Sequence, residues 1–562
     1  MARLPKLFWI ESSPTSILEP TSGAWFSGRA IDLLHLGSDG LLVGTETGGL
    51  WAADGAGGSR PLSDGWAYPN VTCIVQRPTP DFPPFSFLCG TQGALYRNKP
   101  SLTDPFAEWE TLNLPDGVSV VNRIVTLPAS RVVITTDRGI WWAEFGLGGT
   151  VQWRQAFKRE RAFVGFTDVP IADAWYGLAH TGIAEVVVGT QSGVVADPIL
   201  HGGIGSELVF SGVSIPLFGP NSISMADRLT MDRVSIASCD VDRSRVYAIA
   251  FTGNPANFFR LLRSNDGGHT WTVLSPSVVD VDDPELDQWL GGVEAGGLVK
   301  NLTVHPGIPD RFALCGLNAL ICDDGWRNDP SLSLIGAGSA HIHSDCHTLV
   351  FAPDATWPDR IFIATDGGVF RGADWHDPSS LSSLHNRSLR TLQFLGPTGA
   401  RQFIGSLGSS PAPRGLVAGG LEDNGNVWKP NNVYGIWQKS QNADGGCNVP
   451  LGPEAYFHQI VDQSATSHDG VVYAQSWPGT GNLTPATAVP LLDEAGNIVD
   501  AAPDISFEGV RRPSDIDVPQ AVGWKDSNLF GLYTDANEAN PHWKTLCVAT
   551  DPIITVASTM TT

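Results

Sequence analysis

Three histidines and an aspartate alternate with other residues in one short segment, His341-Ile-His343-Ser-Asp345-Cys-His347. On an extended strand alternate side chains project to the same face, so these polar groups would line one surface. Imidazole and carboxylate groups suit zinc or another divalent transition metal. Alternate strand positions lie about 6.5 to 7 Å apart, so few of these side chains can share one ion. His343, Asp345 and His347 are a candidate metal site; histidines hydrogen-bonded at a rim, or a ligand or catalytic contact, are the alternatives. No other cofactor is expected.

Aromatic side chains are a second source of binding chemistry, because a flat ring can stack on the C–H face of a sugar. The chain has 19 tryptophans. Four of them lie in segments predicted to be rim loops, with core packing as the alternative for each: Trp175, Trp375, Trp437 and Trp477. Asp366 and Asp444 are included in the same prediction as polar ligand-binding residues.

The elements that would position these residues are short strands in a recurring pattern. A β-branched run, a glycine-containing turn and an apolar or aromatic run follow one another in LLVGTETGGLW (41 to 51), VVVGTQSGVV (186 to 195) and IFIATDGGVF (361 to 370). We find ten such instances along the 562 residues. Each instance reads as a pair of antiparallel strands joined by a tight turn.

Four short antiparallel strands per repeat of roughly 40 to 50 residues are typical of one β-propeller blade. The sequence therefore predicts an all-β fold, a β-propeller of four-stranded antiparallel blades with about ten blade repeats. About seven repeats fall in residues 1–390, and further repeats fall in 391–562. The second group either closes the same large ring or forms an incomplete second propeller beside a seven-bladed ring.

Composition excludes several classes of partner. The formal net charge is −23, so nucleic acid and anionic membrane surfaces would be repelled. No run of 18 apolar residues occurs, which argues against membrane insertion, and Met1 to Ser12 lacks the apolar run of a signal peptide. The eight cysteines form no CxxC pair, so most are expected to be small core residues, with a few disulfides left open.

Several motifs resemble those of known propeller families. Ser264-Asn-Asp-Gly-Gly-His-Thr-Trp271 resembles the Asp-box (BNR) of the sialidase-like superfamily, in which Asp, Gly and Trp stabilise a turn, and Asp323-Asp-Gly-Trp326 is a degenerate second copy. The segments from Ser27 to Trp51, Ala364 to Arg371 and Gly419 to Gly425 resemble signatures of xyloglucan-degrading endoglucanases and of sortilin-type receptors. The resemblance favours an extracellular location, although the compartment itself stays open.

The endoglucanase resemblance also implies a pair of catalytic carboxylates. Its two catalytic aspartates match Glu46 and Asp423 in this sequence. Glu replaces Asp at the first position, and the second turn reads Asp-Asn-Gly instead of Asp-x-Gly-Gly. An inverting glycosidase needs one carboxylic acid and one carboxylate about 6.5 to 9.5 Å apart. The alternative for both residues is a structural turn that accepts backbone amides.

These observations predict a soluble, acidic propeller that handles a polysaccharide or oligosaccharide. If the protein is an enzyme, the resemblance implies an endoglucanase-like, inverting glycoside hydrolase using Glu46 and Asp423. The alternative is a non-catalytic propeller that binds glycans as a lectin does, or binds a protein or peptide as sortilin-type receptors do.

Overall fold

The structure is a computed structural model of the 562-residue chain. The residues it describes are 16–18, 22–77, 86–99, 104–127, 131–145, 151–157, 161–164, 167–170, 175–180, 185–190, 193–198, 231–242, 244–252, 259–265, 272–274, 302–326, 332–335, 342–392, 399–402, 415–421, 424–430, 437–439, 444–450, 455–461, 471–476, 487–488, 491–492, 498–499, 522–525, 528–534 and 543–550.

Short strands dominate the described residues, and residues 16–198 supply β1 to β19. Their bounds are β1 Ile17–Leu18, β2 Trp25–Phe26, β3 Ala30–His35, β4 Leu41–Thr45, β5 Leu50–Ala53, β6 Ser59–Pro61, β7 Val71–Gln76, β8 Phe87–Thr91, β9 Leu95–Lys99, β10 Glu108–Leu112, β11 Val121–Leu127, β12 Arg131–Thr136, β13 Gly139–Phe145, β14 Val151–Phe157, β15 Arg161–Val164, β16 Thr167–Pro170, β17 Trp175–His180, β18 Glu185–Thr190 and β19 Gly193–Pro198.

The rest of the chain supplies β20 to β44. Their bounds are β20 Met231–Ser238, β21 Val246–Thr252, β22 Phe259–Ser264, β23 Thr272–Val273, β24 Leu302–Val304, β25 Phe312–Cys315, β26 Ala319–Cys322, β27 Leu332–Ile335, β28 Cys346–Phe351, β29 Ile361–Thr365, β30 Gly368–Gly372, β31 Leu381–Ser382, β32 Gly399–Gln402, β33 Gly415–Leu421, β34 Gly425–Pro430, β35 Trp437–Lys439, β36 Asp444–Pro450, β37 Ala455–Val461, β38 Val471–Ser476, β39 Thr487–Ala488, β40 Leu491–Leu492, β41 Ile498–Val499, β42 Val522–Lys525, β43 Asn528–Thr534 and β44 Trp543–Thr550.

Helical structure in the described part of the chain consists of two 3₁₀ turns, Pro378–Ser380 and Leu384–Ser388. None of the helical turns in these residues has the length and apolar character needed to span a membrane.

The chain divides into two compact units. The larger one comprises Arg29–Thr391, and the other joins Met1–Gly28 to Leu392–Thr562. Residues 1–28 thus cluster with the carboxyl-terminal part of the chain, whereas the sequence grouped them with the first repeats.

In the larger unit, consecutive strands pair antiparallel into sheets. The described residues form the four-stranded sheets β3–β6, β7–β10, β11–β14, β20–β23, β24–β27 and β28–β31, together with the three-stranded sheet β17–β19 and the hairpin β15–β16. The predicted fold class, all-β with four-stranded antiparallel sheets, is confirmed.

The sheets of this unit form a circuit through their first strands. Strand β3 contacts β7, β7 contacts β11, and the succession continues through β17, β20 and β24 to β28. Strand β28 contacts β3, so the last sheet packs against the first. Alternate side chains of facing sheets fill the space between them, as a stack of sheets buried on both faces requires.

The core between the first and last sheets shows this packing. Leu33, Val43 and Trp51 of the first sheet form one buried cluster with Phe362 and Val369 of the last. Comparable clusters join the first sheet to the second and the second to the third. Each buried apolar side chain of this size contributes roughly 1.5 to 3 kcal/mol to folding.

The six cysteines whose side chains are described are buried: Cys73, Cys89, Cys239, Cys315, Cys322 and Cys346. For these six residues the predicted role as small core side chains is confirmed.

The second unit contains a sheet that joins distant parts of the chain. Its strand order is β2-β1-β35-β34-β33-β32, and β1 pairs with β35 in parallel, with Ile17 opposite Trp437. The described residues of this unit also form the sheets β36–β39, β40–β41 and β42–β44.

Candidate functional site

The turn between β4 and β5 presents Glu46 at one end of the first sheet of the larger unit. The backbone N–H of Thr45 donates to the carbonyl of Gly49 at 3.0 Å, and its hydroxyl donates to the same oxygen at 2.8 Å. Gly49 has φ +80°, and a Cβ there would overlap the Ser63 side chain, so the tight turn requires glycine. The side chain of Glu46 is 22% exposed.

The corresponding turn between β29 and β30 holds Asp366 at the end of the last sheet. The N–H of Gly367 donates to the hydroxyl of Thr365 at 3.1 Å. Asn386 closes the turn from outside, because its Oδ1 accepts the N–H of Val369 at 2.7 Å and its Nδ2 donates to the carbonyl of Gly367 at 3.3 Å. Asp366 is only 2% exposed.

Arg29, the residue before β3, joins the two turns. Its Nε donates to Oδ1 of Asp366 at 2.5 Å, and one terminal nitrogen reaches Oδ2 of the same carboxylate at 3.3 Å. The other terminal nitrogen donates to Oε2 of Glu46 at 2.6 Å. The backbone carbonyl of Arg29 also accepts the N–H of Glu46 at 3.3 Å. The planar guanidinium therefore orients both carboxylates at once.

Asp366 is also bound by a buried imidazole. Nε2 of His347, at the second position of β28, lies 2.6 Å from Oδ1 of Asp366. Burial by itself would raise the pKa of Asp366, but the His347 imidazole and the Arg29 guanidinium outweigh it and hold the pKa well below its usual range. Asp366 is thus a buried, ionised anchor.

Asp345 is the second unusual carboxyl of this group. It has φ +62°, and its N–H donates to the carbonyl of Leu317 at 2.9 Å. Burial raises the pKa of Asp345 from its usual 3.8 to about 6, and the neighbouring Asp366 carboxylate adds to the rise. The charges of His347 and Arg29 act in the opposite direction and only reduce it.

The three predicted metal ligands do not converge in the described structure. Ligand atoms of His343, Asp345 and His347 do not all lie within 4.8 Å of one another. A metal would also have to compete with Asp366 for Nε2 of His347. Metal binding by these three residues stays a prediction.

Among the described residues, the one group of three with converging ligand atoms is Asp359, Asp374 and His376. Asp359 already forms an ion pair with Arg311 at 2.8 Å, and His376 is exposed. The N–H of His376 donates to Oδ1 of Asp374 at 2.9 Å. Asp359 and Asp374 are therefore already engaged by an ion pair and a hydrogen bond within the protein.

Two of the predicted sugar-stacking tryptophans are buried. Trp375 is 4% exposed and Trp437 is 5% exposed, so neither offers a ring face to a sugar in this structure. Trp375 stacks on His376 with ring centroids 3.6 Å apart, and Arg311 lies over the same ring. Trp437 stands at the start of β35 in the sheet that β1 joins.

The side chains of the remaining predicted residues are not described by the structure. Trp175 begins β17 and Asp444 begins β36, and only their backbone is described. Trp477 and Asp423 lie outside the described residues, as does Asp266 of the Asp-box-like segment. In the degenerate copy, the Asp324 carboxylate accepts the N–H of Trp326 at 3.1 Å, and Gly325 has φ +72°.

Sequence reasoning missed Arg29, the residue that organises this group. Its only signal is its position just ahead of the first strand of the opening motif, where a long cation can reach the turn that follows β4. The distance of 337 residues to Asp366 hid the contact.

No family model matches the chain, and no curated protein matches its sequence. Among solved structures it is similar to an ancestral GH74 enzyme, with 10% identity and a TM-score of 0.57 over 97% of this chain and 70% of that one. It is also similar to the GH74 enzyme of Niastella koreensis, with 12% identity and a TM-score of 0.53 over 94% of this chain and 74% of that one.

The chain is a β-propeller. The likeness to the two GH74 structures agrees with the circuit of four-stranded sheets. At identities of 10% and 12% it extends to the fold alone. In this propeller the turns after β4 and β29 lie at the same end of adjacent sheets, and Arg29 connects them.

The arrangement offers a defined carboxylate chemistry. Glu46 is partly exposed and oriented through one oxygen by Arg29, while the described residues form no hydrogen bond to its other oxygen, Oε1. Such an oxygen can accept a hydrogen bond from a water or a hydroxyl group. Asp366 and His347 are too deeply buried for that role and instead fix Arg29.

Proposed function

We propose that this protein handles glycans at the end of the larger unit that carries Glu46, and that it hydrolyses a polysaccharide with Glu46 as one of two catalytic carboxylates. The observation that supports the proposal is the Arg29 bridge, which anchors itself on buried Asp366 and holds the partly exposed Glu46 carboxylate at 2.6 Å. The fold of the GH74 enzymes is consistent with it.

The proposed mechanism assigns Glu46 to the base. An inverting glycosidase needs a carboxylate that takes a proton from water while a carboxylic acid protonates the leaving oxygen. Arg29 orients the Glu46 carboxylate through Oε2, and the other oxygen, Oε1, is the atom that would accept the proton from water. The acid would be Asp423, which the sequence resemblance matches to the second carboxyl and which lies outside the described residues.

The geometry around Glu46 explains how a longer side chain could serve where the resemblance implies aspartate. The ion pair with Arg29 restricts the rotamers of Glu46, so the extra methylene need not bring extra freedom. Arg29 is in turn held by two contacts to Asp366. Positioning of this kind is a recognised part of catalytic efficiency.

The test is hydrolysis of a polysaccharide panel by the full chain, read as new reducing ends and as retardation in native gels that contain each polymer. Xyloglucan, mixed-linkage β-glucan and hydroxyethylcellulose form the panel. Glu46→Gln is expected to reduce turnover by about 10² to 10⁴-fold. Glu108→Gln, at a carboxylate 68% exposed on β10, is the matched control and should retain full turnover.

The outcomes separate the candidate functions. Equal turnover in wild type, Glu46→Gln and Asp423→Asn would refute the catalytic assignment. Retardation without hydrolysis would indicate a lectin-like binder. Binding of a peptide library with no retardation in any polymer would favour a peptide-binding propeller and contradict the glycan proposal.

A further inference from the structure

Tyr68 is an exposed aromatic residue on the loop that joins β6 to β7. It is 49% exposed, whereas most aromatic side chains of the described core are buried. Large rings normally bury their surface, and an exposed ring at a mouth often marks a binding contact.

The loop that carries Tyr68 lies against the turn that presents Glu46. A Cβ placed on Gly49 would overlap Ser63 and approach Pro69, which are both in this loop. Tyr68 directly precedes Pro69. The loop therefore borders the Glu46 turn on the side of the second sheet.

The ring of Tyr68 is held against the turn between β8 and β9. A Cβ on Gly93 would overlap this ring, so the ring rests on a glycine that has no side chain. The backbone N–H of Tyr68 donates to the hydroxyl of Tyr96 at 3.3 Å. In the turn between β8 and β9, the backbone N–H of Gln92 donates to the carbonyl of Asn70 at 2.9 Å. These contacts hold the loop against the turn between β8 and β9, and the Tyr68 side chain remains 49% exposed.

Aromatic packing behind the loop adds rigidity. Trp66 stacks on Tyr96 with ring centroids 3.7 Å apart and meets Trp109 edge-on at 5.4 Å. A ring fixed before the ligand arrives loses little conformational entropy on binding.

We propose that Tyr68 is a carbohydrate-stacking residue on the loop that borders the Glu46 turn, and that its ring forms an aromatic subsite for one sugar of a polysaccharide chain. The inference rests on the proposed glycan function. A pyranose has an apolar C–H face and polar edges, so a flat ring on a loop that borders a carboxylate-bearing turn matches its two kinds of surface. The subsite is continuous with the Glu46 turn through the packing on Gly49.

Trp357 provides a matched control. It is 47% exposed, close to the exposure of Tyr68, and is likewise aromatic. It lies in the loop between β28 and β29, at the end of that sheet opposite to the Asp366 turn, because the two turns flank β29. An effect of exposed aromatic surface alone would appear equally in both positions.

The experiment is affinity electrophoresis of the full chain in native gels containing xyloglucan, with hydroxyethylcellulose as a second polymer. We expect Tyr68→Ala to weaken retardation about tenfold. Tyr68→Phe and Tyr68→Trp should remain within about threefold of wild type, since both keep an aromatic face. Trp357→Ala should match wild type. Unfolding temperature is measured for every variant, so that only folded proteins are compared.

Three adverse outcomes are distinguishable. If wild type is retarded but Tyr68→Ala is retarded equally, the Tyr68 subsite is overturned while the glycan function stands. If wild type migrates freely in both polymers, both inferences are overturned. If Tyr68→Ala does not fold, equal weakening by Tyr68→Phe and Trp357→Ala would overturn the subsite, because stacking predicts that neither of them weakens binding.

Discussion

The guanidinium of Arg29 lies 2.5 Å from the buried carboxylate of Asp366, although 337 residues separate the two in sequence. The contact joins the residue before β3, in the first sheet of the larger unit, to the turn between β29 and β30, in the last sheet. The same guanidinium holds Glu46, so closure of the circuit of sheets and orientation of the candidate catalytic carboxylate depend on one side chain.

Loss of this bridge should destabilise the protein. Arg29→Met leaves Asp366 buried without its guanidinium, and removal of one partner of a buried pair costs about 3 to 5 kcal/mol. Chemical denaturation measures the change. Arg29→Lys should recover only part of the loss, because an ammonium group cannot bind two carboxylates in the planar geometry of arginine.

A surface ion pair provides the control for this prediction. Arg60 pairs with Asp104 at 2.6 Å, but its side chain is 50% exposed. Arg60→Ala should change the free energy of unfolding by less than about 1 kcal/mol. Similar losses for Arg29→Met and Arg60→Ala would show that the buried bridge has no special importance.

Asp345 should make stability depend on pH between about 4 and 6. Burial raises its folded-state pKa to about 6 from its usual 3.8. The folded state therefore binds the proton more tightly, so the stabilisation is complete below the unfolded pKa and is lost as the pH rises through about 6.

Asp345→Asn removes this titration while asparagine tolerates the positive φ at the site. We expect the variant to be more stable than wild type by about 1 to 2 kcal/mol at pH 7.5 and equal to it near pH 4. Urea denaturation at the two pH values measures the difference. A stability difference that does not change with pH would contradict a raised pKa.

Trp375 should behave as a core residue. It is 4% exposed, and its backbone N–H donates to the carbonyl of Asp359 at 3.2 Å. Trp375→Ala is expected to lower the free energy of unfolding by about 3 to 5 kcal/mol, because it leaves a large cavity. Trp357→Ala, at an exposed ring, should change it by less than about 0.5 kcal/mol. A fully stable Trp375→Ala protein with weaker glycan binding would restore the sugar-stacking role.

The sequence predicted the strands well because their pattern is local. Turns such as Thr45 to Gly49 need glycine at a positive φ, and flanking apolar residues alternate over a few positions. Local signals of this kind identify hairpins and, by repetition, the propeller. Local signals do not indicate which sheets pack against each other. The sequence therefore left two alternatives open, one large ring or a seven-bladed ring with an incomplete second propeller.

Within residues 29–391 the circuit of described sheets runs from β3 to β28 and closes back on β3. The total of about ten blades, and the place of residues 392–562, stay predictions.

The site was only partly predictable. Glu46, Asp366 and His347 were each singled out by residue type and turn motif, yet as parts of three separate hypotheses. What joins them is Arg29, whose long-range contacts depend on the packing of the first and last sheets. The sequence also did not predict which aromatic side chains are buried. Trp375 and Trp437 were predicted to lie in rim loops but are buried, whereas Tyr68 is exposed and lies in no recognised motif.

The most direct test of the central claim is a crystal structure of the full chain soaked with a xyloglucan-derived oligosaccharide. We predict sugar density at the end of the larger unit that carries Glu46, with a hydroxyl or an ordered water within about 3 Å of its carboxylate. Sugar bound only at the opposite end, beside Trp357, or far from the Glu46 turn would contradict the account.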